Sequence, residues 1–190
     1  MDSVLIASSS DKQCAALVRL VKETYPACSV SVAQTGLETR RAATDRSFDC
    51  VLLNCPLRDE TGVDLAEFIS HSTDACCVLI TKEENADVLA EKCEDHGTMV
   101  IAKPLDRAGF CRALRFVAAA RRRMLGVQSE NLKLHKKLEE IRTVNRAKLA
   151  LMQYLGFTEQ QAHRYIEKQA MDLRISKNDV ARKVIRMYEV

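Results

Sequence analysis

Four short polar clusters in this chain each follow an apolar run. Ser8-Ser9-Ser10-Asp11 follows Val4-Leu5-Ile6-Ala7, and Asn54 to Leu57 follows Val51-Leu52-Leu53. Thr81 to Glu84 follows Val78-Leu79-Ile80, and Ala102 to Pro104 follows Met99-Val100-Ile101. Together they supply hydroxyls (Ser8, Ser9, Thr81), an amide (Asn54) and an ammonium (Lys103). An amide is a poor nucleophile, and serine hydroxyls do not balance a divalent cation as carboxylates would. The chain is not expected to be an enzyme.

The eight cysteines (Cys14, Cys28, Cys50, Cys55, Cys76, Cys77, Cys93, Cys111) all fall within the first 111 residues. None forms a C-x-x-C pair, and His71 and His96 supply no zinc-finger spacing beside them. Small buried apolar residues in a reducing compartment are the expected role. A redox switch through the adjacent Cys76 and Cys77 is the alternative. No metal and no cofactor are expected.

With 190 residues, 47% of them hydrophobic and 29% charged, the chain can build one large core or two small ones. Aromatics make up only 5% and tryptophan is absent, so base-stacking platforms are sparse. No apolar run approaches the roughly 18–20 residues of a membrane span. The first residues, MDSVLIASSSDKQ, lack the basic flank of a secretory signal, and a cytoplasmic location with no membrane partner is expected. The net charge of +3 hides an asymmetry. Residues 1–120 hold 13 Lys and Arg against 18 Asp and Glu, whereas residues 121–190 hold 16 against 8. A basic second part is a candidate for a polyanion, since clustered cations gain free energy by releasing counterions from phosphates. A solvated helical surface is the plainer alternative.

The elements that must position these residues follow from periodicity. Val4–Ala7, Ser29–Ala33, Val51–Leu53, Val78–Ile80 and Met99–Ile101 are strand-like, with amphipathic helical stretches between them. This alternation predicts an α/β domain with a doubly wound, five-stranded parallel sheet and helices on both faces. Ligands in such sheets sit at the carboxyl ends of the strands, where the four polar clusters would converge.

From Phe110 onward a heptad register predicts a coiled-coil helix. Val117, Met124, Asn131, Leu138 and Asn145 fall at a, and Ala113, Ala120, Val127, Leu134, Ile141 and Lys148 at d. The favoured reading is a parallel homodimer seam through Val117, Met124, Asn131, Leu134, Leu138, Ile141 and Asn145. Lys137 facing Arg142 is a repulsive feature of that pairing, and a helix packed on its own chain is the alternative. Gly156 is placed to end the long helix in a left-handed conformation. Thr158-Glu159-Gln160-Gln161 is a capping box for a helix to about Leu173, and Ser176-Lys177-Asn178-Asp179 caps a last helix. Ala147, Leu151, Ala162, Ile166, Ala170, Val180, Ala181 and Val184 are spaced to face one another in a three-helix module.

Over about 120 residues the front of the chain resembles a response-regulator receiver domain. The marks are the polar cluster after strand one, the VLLN strand, Thr81 and Lys103-Pro104. The resemblance implies an acidic Mg²⁺-binding pair where Ser8-Ser9 stand, and a phosphate-accepting aspartate where Asn54 stands. Thr81 and Lys103 match the family, while Asp11 and Asp59 lie near the crevice. A degenerate, phosphorylation-incompetent pseudoreceiver is therefore expected, its input a regulatory protein or a ligand.

The back resembles the ANTAR module of AmiR/NasR-type antiterminators, through Ala147-Lys148-x-x-Leu151-Met152, Gly156-x-x-Glu159-x-x-Ala162, Ala170-Met171 and Val180-Ala181. That resemblance implies binding to stem-loops of a leader transcript and transcription antitermination. The expected domains are a receiver-like domain at 1–120, a coiled-coil linker at 121–145 and an ANTAR domain at 146–190. Lys148, Arg164, Lys168, Arg174 and Lys177 are the basic candidates for RNA contact. Gln153 and Gln169 could read base edges, and Tyr154, Tyr165 or His163 could stack. Tyr165 and Met152 are expected in the core, and Arg121-Arg122-Arg123 on a solvated face. A DNA-binding transcription factor using the last two helices as a helix-turn-helix is the rival reading.

Overall fold

The computed structural model describes residues 1–188 and divides into two compact units, Met1–Leu125 and the remainder from Gly126. In the first unit, β1 (Ser3–Ser8), β2 (Ser29–Ala33), β3 (Cys50–Asn54), β4 (Cys76–Lys82) and β5 (Met99–Lys103) form the expected parallel sheet, in the order β2-β1-β3-β4-β5. The helices α1 (Asp11–Thr24), α2 (Gly36–Asp45), α3 (Val63–Ser72) and α4 (Glu83–Glu94) alternate with the strands, and α5 begins at Arg107.

The apolar runs are strands because both faces of the sheet are covered. Val4, Ile6, Leu52, Val78 and Ile80 pack on one side with Leu17 and Val21 of α1 and Phe110, Leu114 and Val117 of α5. Leu5, Ala7, Val51, Leu53 and Leu79 pack on the other with Leu65, Ala66 and Ile69 of α3. Alternate residues along a strand point to opposite faces, so continuous apolar runs result. Six cysteines (Cys14, Cys28, Cys50, Cys55, Cys77, Cys93) are buried in these cores, and Cys76 and Cys111 are partly covered. All eight are free thiols. Burial pushes the Cys55 and Cys77 thiols up to about 12 and raises that of Cys76, which disfavours the thiolate that a redox switch at Cys76-Cys77 needs.

Helix α5 runs from Arg107 to Leu155 and contributes to both units. Two expectations along it are corrected. Val117 belongs to the sheet core, not to a seam: here the 3–4-residue stripe Phe110-Leu114-Val117 faces the strands. Arg121 is not on a solvated face either, since its side chain is largely covered and pairs with Asp49 at 2.7 Å.

In the second unit, Gly156 takes φ 67° and ends α5 after Leu155. Thr158 and Gln161 form the reciprocal capping box of α6 (Glu159–Leu173). Ser176 Oγ accepts from the Asp179 amide at 3.1 Å at the start of α7 (Lys177–Tyr188). Ala147 and Leu151 of α5, Ala162, Ile166 and Ala170 of α6, and Val180, Ala181 and Val184 of α7 close one small core. Tyr165 and Met152 lie outside it, 38% and 36% exposed, because Ala162, Ile166 and Ala170 take the inner face of α6.

Candidate functional site

Two places gather the chemistry-bearing residues, one in each unit. The first is the carboxyl edge of the sheet. Strand β1 pairs with β2 on one edge and β3 on the other, and the β1–β3 register sets Ser8 beside Asn54. Ser8, Asn54 and Thr81 are all buried. Asn54 Nδ2 donates to Ser8 Oγ at 2.9 Å and to Gln13 Oε1 at 2.7 Å. Ser8 Oγ in turn donates to the Ser10 carbonyl at 3.2 Å, and Ser9 Oγ donates to the Pro56 carbonyl at 3.3 Å. A neutral network thus fills this corner, and Gln13 is a member that strand-end spacing did not reveal.

Lys103 Nζ donates to the Cys55 carbonyl at 3.0 Å, and burial lowers its pKa. The nearby carboxylates are engaged elsewhere. Asp59 accepts from the amides of Gly36 and Leu37 at 2.8 and 3.1 Å, which holds it below the usual carboxylate range. Asp11 accepts from Gln34 Nε2 at 3.1 Å. Beside the network a cavity of about 400 Å³ is lined by Gln13, Asn54, Lys103, Arg19, Arg107 and five apolar residues, with no carboxylate among them. Such a crevice offers hydrogen bonds and positive charge. Its lining lacks the anionic ligands that hold Mg²⁺.

The second place is a groove of about 420 Å³ in the second unit, lined by Lys137, Glu140, Ile141, Val144, Asn145, Lys148, His163, Ser176, Lys177 and Asn178. Of the basic candidates only Lys148 and Lys177 line it. Lys148 is largely covered and reaches Glu159 at 3.1 Å, while Lys177 reaches Glu167 at 2.6 Å. His163 Nε2 lies 3.2 Å from the same Glu167. The Lys177 hydrogen bond holds Glu167 below its usual range.

Asn178 lines the groove, and its buried Oδ1 has no hydrogen-bond partner, which costs free energy. Arg164, Lys168, Gln153 and Arg174 are exposed away from this lining, and Gln169 is partly covered. The aromatic candidates are already engaged. Tyr154 stacks on Tyr188 at 5.6 Å between centroids, and Tyr165 meets Phe157 edge-on at 5.9 Å. Lys137 and Asn178 were missed as groove-lining residues: one reads as a coiled-coil g position and the other as part of a capping cluster. The seam candidates Ile141 and Asn145 also line this groove. Met124, Leu134, Leu138 and Ile141 are each at least half exposed along α5, and Asn131 is exposed.

The response regulator receiver domain model matches residues 4–115, more than half of the chain. The chain belongs to the response regulator receiver family. The ANTAR domain model matches residues 132–185, so this response regulator carries an ANTAR output region that includes the groove. It is 29% identical over 157 residues to the transcriptional regulatory protein PdtaR of Mycobacterium tuberculosis, covering 82% of this chain and 76% of that protein.

Receiver structures share the fold of the first unit. A response regulator receiver domain protein from Clostridium thermocellum superposes with TM-score 0.59 at 16% identity, over 65% of this chain and 99% of that one. The receiver domain of the sensor histidine kinase PA1611 from Pseudomonas aeruginosa, with magnesium coordinated in its active site cleft, gives 0.53 at 17% identity, over 62% and 98%. Among the described residues of this response regulator, no helix is long and apolar enough to cross a membrane.

Proposed function

We propose that this response regulator is a non-enzymatic, dimeric RNA-binding antitermination regulator whose receiver does not take phosphate. The observation that carries the reading is the ANTAR-matched groove, which Lys137, Lys148 and Lys177 line together with the polar side chains of Asn145, His163 and Asn178. Cations on a groove engage phosphates, and polar side chains beside them suit the edges of unstacked bases. Stem-loops of a leader transcript present both chemistries: a paired stem for the cations and splayed loop bases for the polar side chains. Binding them competes with terminator folding.

The exposed stripe of Met124, Val127, Leu134 and Leu138 supports a parallel homodimer, since a lone helix segment this apolar gains stability only when covered. Ile141 and Asn145 mark where the seam gives way to the groove. At the other end, a crevice with neutral Ser8, Ser9 and Asn54, and with Lys103 held on a backbone carbonyl, favours input from a regulatory protein or ligand over phosphorylation.

Fluorescence anisotropy of the full-length protein, with hairpin RNA and with duplex DNA of equal length at two salt concentrations, tests this. Hairpin binding that persists at the higher salt is expected. Changing Lys137, Lys148 and Lys177 to alanine should lower the slope of log affinity against log salt by roughly two. Preference for duplex DNA would favour the helix-turn-helix rival and overturn the reading.

A further inference from the structure

A convergence of ligating side chains lies outside both sites. Glu67 and His71 stand four residues apart on α3, which places them on one face of the helix. His96 comes from the turn between α4 and β5, and one ligand atom from each of the three lies within 4.8 Å of the others. Tertiary packing brings His96 there. Ser70 and Thr98 hydroxyl oxygens are 3.2 Å apart across the same junction, Gly97 turns the chain at φ 65°, and Cys93 is buried beneath. The His71 and His96 rings meet edge-on at 5.2 Å between centroids. His71 Nδ1 lies 3.0 Å from the Glu67 carbonyl, and donating to it leaves the Nε2 lone pair free. Such a backbone bond fixes the tautomer in the form that metal-binding histidines use.

We propose that Glu67, His71 and His96 form a divalent transition-metal site, suited to Zn²⁺, with a fourth position open to water or an outside ligand. Two imidazoles and one carboxylate are a donor set for zinc, whereas magnesium and calcium take oxygen ligands. Tetrahedral zinc with bonds of 2.0–2.1 Å needs ligand atoms roughly 3.3 Å apart, so the set must draw in slightly. Glu67 and His71 are exposed and His96 only partly covered, which leaves their side-chain torsions room for this. A bound ion would staple the C-terminal half of α3 to the α4–β5 turn, independently of the crevice and the groove.

The test uses full-length reduced protein and Zn²⁺ alone, in competition with a chromophoric chelator. One equivalent bound at micromolar affinity or tighter is expected, weakened at least tenfold by His71→Ala and by His96→Ala. Co²⁺ supplies a second readout. Ligand-field bands without thiolate-to-cobalt charge transfer would support the His and Glu donors. Unchanged affinity in both variants, or a thiolate charge-transfer band, would place the metal on the cysteines and overturn the proposal. Equally tight binding of Mg²⁺ would overturn it as well.

Discussion

At the scale of single residues, Asn54 is the most informative position. Both of its amide hydrogens are committed, to Ser8 Oγ and Gln13 Oε1. Asn54→Asp would set a buried carboxylate against the Gln13 oxygen and should cost about 2–4 kcal/mol in denaturant unfolding. It should still gain no phosphoryl mass from acetyl phosphate and Mg²⁺, because Ser8 and Ser9 supply no carboxylate for the ion; an acid-labile phosphoryl adduct would contradict this.

Glu167 is informative in the opposite sense. It holds Lys177 and His163 on the groove, so Glu167→Gln should tighten hairpin RNA binding about two- to fivefold, in line with the small worth of exposed pairs. The buried thiols give a pH signature. Cys55 and Cys77 are raised to about 12 in the folded chain from 9.0, so their contribution to stability is complete below pH 9 and is lost as pH rises toward 12. Thermal melts should therefore steepen in their decline above pH 9, less so in Cys77→Ala measured relative to its own value at pH 8. Ser8, Asn54, Thr81 and Lys103 could be picked out in the sequence because strand ends announce the crevice. Gln13, Asn178 and the Glu67–His71–His96 set could not, since only packing across elements brings them to their partners.

At the scale of elements, the strands were legible to within a residue or two because both faces of the sheet demand apolar side chains. Ser29–Ala33 is exact, and Val51–Leu53 is extended only by Cys50 and Asn54. The caps were legible for a local reason: Thr158, Gln161 and Gly156 act within one turn of their own position. The heptad was less informative, because a 3–4-residue stripe does not say what covers it. Its start is covered by the sheet at Val117, and beyond Asn145 the core of α6 and α7 takes over at Ala147. Between those limits the stripe is exposed. Leu134→Lys combined with Leu138→Lys should shift the full-length protein from dimer to monomer in sedimentation at micromolar concentration, with little change in monomer helicity. A wild-type protein that already sediments as a monomer would remove the seam.

At the scale of the whole molecule, the charge asymmetry acquires a physical meaning. The acidic part folds into a receiver whose crevice is neutral to positive, and the basic part carries the groove. Two grooves joined by one seam would engage two hairpins, and the second contact would then be made at high effective concentration. The most direct test is the stoichiometry and affinity of the full-length protein on tandem stem-loop RNA compared with a single stem-loop, measured by sedimentation and anisotropy together. Two chains per tandem RNA, and binding at least tenfold tighter than to the single stem-loop, are expected. One chain per RNA, with equal affinity for the two, would contradict it.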